Sequence, residues 1–274
     1  MCIRDRDEPV IFTGDRLEEE FQDVSGQWWG ILLFEGSSGH EIEYAEIKNS
    51  IVGTVVDSLV DLTINNSKIF NTSNAGLIGI HTERVEANNC LFYDNGGNAV
   101  RILEGGDYEF NHCTLASFGV DAAALSMSNV LCLDPLTCSP CQEYRLNAAF
   151  NNSIIYGSRR DEVDLFDADE CDESRLNPLN YSFRDCIVRV DELTDNEKYK
   201  DFFDFCNPCL NADGDVVLFV DPNDDDYHLD SLSIAENQGG LLPASNTGVS
   251  LSLDLDGVMR NTSQPDIGCF EYVE

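Results

Sequence analysis

Basic residues are scarce in this chain. Lysine and arginine together number 16 against 51 aspartates and glutamates, a formal net charge of −35 over 274 residues. A surface of that sign repels nucleic acid and anionic membranes, and no nucleic-acid partner is expected. Such a surface serves solubility alone, suits secretion into salty surroundings, or binds divalent cations. Long apolar runs are absent as well, and none approaches the roughly 18 residues that a membrane-spanning helix needs. The opening "MCIRDRDEPV" carries charges and no apolar signal core. Residues 1–6 fit nothing that follows and resemble a translated sequencing-adapter remnant. They are therefore read as foreign, with the true N-terminus and any export signal lying beyond the sequence in hand.

Cysteine, in contrast, is plentiful, with 11 residues. Setting aside Cys2 leaves an even ten, which points to disulfides and an oxidising compartment.

A phrase recurs through the middle of the chain: "LTINNSKIF", "VEANNCLFY", "YEFNHCTLA". Its Cys or Ser anchor falls at Ser67, Cys90, Cys113, Ser153 and Cys186, at intervals of 23, 23, 40 and 33 residues. A weaker first copy, "IEYAEIKN", places Ile47 at the anchor. Five residues before it stand Leu62, Val85, Tyr108, Ala148 and Tyr181, and three before it Ile64, Ala87, Phe110, Phe150 and Phe183. Two after it come Ile69, Phe92, Leu115, Ile155 and Val188. Apolar and polar residues alternate on both sides, the period-2 mark of short strands with one buried face.

Asn65, Asn88, Asn111 and Asn151 interrupt the alternation two residues before the anchor. Asparagine tolerates left-handed backbone, so the chain is expected to bend there, with the amides stacked into a hydrogen-bonded ladder. Cys90 and Cys113 share one inward column and are expected to form a buried thiol ladder. A second strand follows in each copy: "GTVVDS", "GLIGIHTE", "NAVRILE", "AAALSMS". Short strands at a period of about 23 residues predict an all-β, right-handed parallel β-helix (a solenoid) of roughly six to nine coils with inserted loops. Leucine-rich repeats lack support, since L-x-x-L-x-L does not occur, and no segment sustains a helical 3.6 spacing.

The segments "GQWWGI" (26–31), "LFVDPNDDDYHL" (218–229) and "DLDGVMRNTSQPDIGCFEY" (254–272) resemble elements of the right-handed parallel β-helix surface proteins common in Bacteroidetes. The first is similar to a G-x-W-G-G-I step, and the last to a D-x-D-G-x-x-R…D-I-G-x-x-E close. The resemblance covers residues 9–272 and implies architecture and a cell-surface or extracellular setting. It is unspecific for activity. The organisation expected is repeats over 7–204, insertions near 131–144 and 159–180, and a closing segment over 205–274.

Candidate chemistry is thin. Cys138-x-x-Cys141 and Cys206-x-x-Cys209 could hold zinc, yet disulfides among Cys132, Cys138, Cys141, Cys171, Cys206 and Cys209 are the expectation. Calcium is the ion the sequence nominates, with Asp254, Asp256 and Asp266 as ligands. The competing reading has these carboxylates capping backbone amides and pairing with Arg260. The β-helix scaffold hosts polysaccharide lyases and hydrolases, so Lys48, Lys68, Arg101 and Trp29 are nominated as contacts to a polysaccharide or cell-envelope glycan. Lys48 and Lys68 share a column and could form a basic stripe; of the two tryptophans, Trp28 or Trp29 caps the core. Asp107 and Asp121 are available as paired acids. The polygalacturonase motifs N-T-D, G-H-G and R-I-K are absent, and His112 and His228 read as structural. A structural or glycan-binding module is the leading expectation, and a polysaccharide lyase or glycoside hydrolase the alternative.

Overall fold

The structure, a computed structural model, describes residues 5–16, 18–134, 136, 138, 141–167, 179–212, 216–242 and 251–273. It is all-β and dominated by two long parallel sheets. The eight-stranded sheet runs Val10–Phe12, Ala45–Lys48, Lys68–Thr72, Leu91–Asn95, Thr114–Ser117, Ile154–Gly157, Cys186–Val188 and Cys209–Asn211. The ten-stranded sheet holds two ladders joined by the long strands Leu77–Asn88 and Val100–Asn111. One ladder continues through Leu146–Asn151 to Leu179–Arg184, the other through Leu125–Ser128 to Val163–Phe166.

The repeat columns pair in register. Leu62 lies beside Val85, Val85 beside Tyr108, Tyr108 beside Ala148 and Ala148 beside Tyr181. Inward residues of both sheets meet in one core cluster, from Ile47 and Val56 to Val188 and Phe202. Within it Phe150 stacks between Phe110 and Phe183 at 4.9 Å on either side. Parallel strands pair successive copies across whole crossovers, so each copy's apolar column becomes a continuous inner wall.

The asparagine ladder forms as expected. Asn88 Nδ2 donates to Asn65 Oδ1, Asn111 to Asn88 and Asn151 to Asn111, each at 2.9 Å. The bend itself falls one residue later than expected. Tyr44, Asn66, Asn89, His112, Asn152 and Asp185 carry positive φ between 47° and 51°. The ladder asparagines keep extended backbone and spend their amides inside the corner, so the left-handed turn passes to the next residue. These later residues add a second, weaker ladder, with Asn89 Nδ2 3.2 Å from Asn66 Oδ1 and Asn152 Nδ2 3.0 Å from His112 Nε2.

The register also corrects the first copy. Ile47 pairs with Ile69 and Lys48 with Phe70, so the anchor of that copy is Ala45, not Ile47. The column needs only a small inward filler, which Ala45 supplies while accepting the pattern's left-handed residue, Tyr44, before it. Cys90, Cys113 and Cys186 fill the same column as buried free thiols. In the "GQWWGI" element, Gly30 has φ +103°, and a Cβ there would sit 1.7 Å from the Val52 carbonyl oxygen. Only glycine fits so close a backbone approach.

Two expected boundaries move. Val163–Phe166, placed in an insertion by sequence, is instead a strand paired with Leu125–Ser128. Residues 168–178 lie outside the described residues. The 131–144 insertion contains an antiparallel pair, Val130–Cys132 with Cys141–Glu143. The closing role expected of 205–274 is divided. Phe202, fully buried, and Cys206 pack on the last core residues, whereas Leu218, Phe219, Tyr227, Leu229, Leu255, Ile267 and Phe270 form a second cluster. That cluster covers the outer face of the eight-stranded sheet through Leu91, Tyr93, Ala116, Ile154, Tyr156 and Ile187.

Candidate functional site

Residues nominated as ligand contacts are not brought together. Lys48 and Lys68 lie in the eight-stranded sheet but not in one column: Lys68 pairs with Glu46, and Lys48 Nζ lies 5.6 Å from the Phe70 ring centroid. The basic stripe is therefore absent. Arg101 is exposed on the ten-stranded sheet, in register with Ile78 and Ser126. Trp29 is 70% exposed, while Trp28 packs on the core and donates Nε1–H to the Lys48 carbonyl at 2.8 Å. Of the two, Trp28 is the one that packs on the core.

The zinc reading is overturned. Cys206 and Cys209 form a disulfide, as do Cys132 and Cys138. Cys141 is disulfide-bonded too, and Cys171 lies outside the described residues.

The nominated calcium ligands hold protein groups. Asp254 accepts the Val258 N–H at 2.7 Å and the Glu271 N–H at 2.8 Å. Asp266 accepts those of Asn237 at 2.6 Å and Tyr272 at 2.7 Å. Arg260 pairs with Glu271 at 3.0 Å. Among the described residues no three His, Cys, Asp or Glu side chains are grouped to hold a metal ion. Asp256 instead bonds His228, whose other ring nitrogen faces Asp226. Hydrogen bonding to Asp256, then to Asp226, lifts the His228 pKa to about 9 against the opposing effect of burial. Asp256 is correspondingly held below the ordinary carboxylate range by His228.

A raised histidine pKa stabilises the folded state fully below its unfolded value near 6.5, and that contribution is lost as pH rises through about 9. Melting temperature is thus expected to fall between pH 6.5 and 9 by more in the parent than in Asp256→Asn, as read by thermal unfolding. Equal slopes would contradict the pairing.

A concave feature lies elsewhere, on the ten-stranded sheet. A groove of about 380 Å³ crosses the outer face of four successive strands, lined by Arg84, Asp107, Glu109, Asn147, Asn180 and Ser182 among others. Each side chain is placed by strand alternation: the inward columns stand five and three residues before the anchor, so the outward columns stand six and four before it. The outer column reads Asp61, Arg84, Asp107, Asn147, Asn180; the inner reads Thr63, Glu86, Glu109, Ala149, Ser182. Small Ala149 forms the dip.

Arg84 Nη2 lies 3.0 Å from Glu86 and 2.6 Å from Glu109. Burial works against the Arg84 charge, but these two carboxylates outweigh it and raise its pKa from the ordinary value. Arg145 pairs with Asp107, and the amides continue the row: Asn147 Nδ2 donates to Asp107 at 2.6 Å and Asn180 Nδ2 to Asn147 at 3.2 Å. Asp121 sits apart from Asp107, bound to Arg159. The groove is a row of hydrogen-bonding groups on a sheet, suited to recognising a polar chain laid across the strands.

No protein-family model matches this chain, and neither does any of the curated proteins. Among the described residues no helix is long and apolar enough to cross a membrane.

Proposed function

We propose that this chain is a right-handed parallel β-helix of roughly six to nine coils that acts as an exported glycan-binding module at the cell surface. One observation carries the binding reading: the polar groove over four in-register strands. Its amides, hydroxyl and paired charges match the donors and acceptors of sugar hydroxyls. The disulfides and the net charge of −35 support an extracellular setting, as does the resemblance to Bacteroidetes surface proteins.

A second reading, cleavage of a polysaccharide, is favoured by a single feature. Asp107 and Glu109 face the groove from one strand, two residues apart. Hydrolases place two carboxyl groups about the scissile bond.

Native affinity electrophoresis through gels containing a polysaccharide panel, with calcium or with chelator, tests the proposal. Retardation by at least one polysaccharide, reduced in Asn147→Ala/Asn180→Ala, is the expected result. Calcium is the ion to include, and a chelator-insensitive shift and melting temperature would set it aside. Migration unchanged by every polysaccharide would contradict the binding reading, and release of reducing or unsaturated ends would favour the enzymatic one.

A further inference from the structure

Resting on that groove reading, we infer that the ligand is a neutral oligosaccharide segment of three to four sugar residues, and that uronate-bearing glycans are excluded.

The charge balance carries the first half. Of the charged side chains that line the groove, one guanidinium, Arg84, faces two carboxylates, Asp107 and Glu109, which leaves one net negative charge; Arg145 and Glu86, just outside the lining, cancel each other. The charge of each guanidinium is already offset by protein groups: Arg84 bridges two carboxylates at 3.0 and 2.6 Å, and Arg145 holds Asp107. A sugar carboxylate entering here would share a guanidinium with protein carboxylates already held on it and would add like charge to a groove that is net negative. The whole-chain charge of −35 adds a repulsive field that slows approach of any polyanion.

A neutral sugar meets no such obstacle. Asn147 and Asn180 each commit one N–H to the row, which leaves each a second N–H and acceptor capacity on its oxygen. The Ser182 hydroxyl beside them both donates and accepts. Groups that do both are what a sugar hydroxyl requires.

The strand count sets the length. Four strands have three gaps of about 4.8 Å, so the floor extends roughly 14 Å across the sheet. One strand spacing is close to the length of one pyranose residue, so each strand row faces about one sugar. Beyond the Asn180 row the ladder is reduced to a single bridge, Phe183 with Cys206, so the floor of paired strands stops there.

Isothermal titration calorimetry tests both halves. The probes are cello-, manno- and xylo-oligosaccharides of two to six residues, and oligogalacturonates of the same lengths. At least one neutral series is expected to bind, its affinity rising to three or four residues and then level. The galacturonates are expected to bind at least tenfold more weakly, the gap shrinking as salt is raised and in Asp107→Asn/Glu109→Gln. Ala149→Trp, which fills the dip from the solvent side, should reduce neutral binding at least tenfold with an unchanged melting temperature. Galacturonate binding as tight as neutral binding, or affinity still climbing at six residues, would overturn the inference. If such binding is lost in Ala149→Trp, the groove reading survives and only the ligand class falls. Silence from all three neutral series overturns the inference, and silence from the galacturonates as well overturns the groove reading with it.

Discussion

Replacing Phe150 with alanine is expected to destabilise the protein by about 3–5 kcal/mol, the range for emptying a fully buried phenylalanine site. Phe150 is 0% exposed and sits between Phe110 and Phe183, with interplanar angles of 10° and 15°. Its removal leaves a gap in the middle of a column whose neighbours are fixed by backbone pairing on both sides. Strands held in a parallel ladder cannot slide together to close that gap, so relaxation is limited. Phe150→Leu keeps much of the volume and should cost less than half as much. Urea unfolding of the three proteins, compared at equal m-value, measures the difference. A loss under 1 kcal/mol for the alanine variant would show that the column is not packed as described.

Arg260→Leu is expected to cost about 3–5 kcal/mol, because removing one member of a buried ion pair strands the other. Arg260 is 4% exposed and Glu271 8%. Burial pulls the pKa of Arg260 down and pushes that of Glu271 up, so each depends on its partner to stay charged. The guanidinium also donates to Asn89 Oδ1 and to the Gly268 carbonyl, at 3.0 and 3.2 Å. It thereby ties the C-terminal segment to the second asparagine ladder of the repeats. Glu271→Gln added to Arg260→Leu should restore part of the loss, since a neutral amide oxygen can still accept the Asp266 N–H. The double-mutant cycle in chemical unfolding checks this, and strictly additive costs would contradict a coupled pair.

Much of the repeat architecture was legible because inward residues announce themselves. Leu62, Val85 and Tyr108 recur at fixed distance from the anchor, and burial demands apolarity in that column whatever the loops do. The first copy is easily placed out of register because Ile47 is the more conspicuous apolar residue, whereas the inward anchor tolerates alanine at Ala45. The groove is faint in the sequence for the opposite reason. Outward positions need only be polar, so Arg84, Glu109 and Asn147 carry no period by themselves. The column six before the anchor nevertheless places Arg84, Asp107, Asn147 and Asn180 in one row. The flanking role of the C-terminal segment also had a signal. "CLFY", "SIIY" and "CIV" are continuous apolar runs rather than alternations, the mark of strands buried on both faces. Leu91, Tyr93, Ile154 and Tyr156 are the outward members of those runs, and the C-terminal cluster covers them.

A crystal structure of the protein with the tightest-binding neutral oligosaccharide tests the functional account most directly. The account predicts sugar density crossing the strands over Arg84, Asp107, Asn147 and Asn180, with Ala149 beneath it. Sugar seated against Trp29 and Arg101 instead, with this groove holding only solvent, would contradict it.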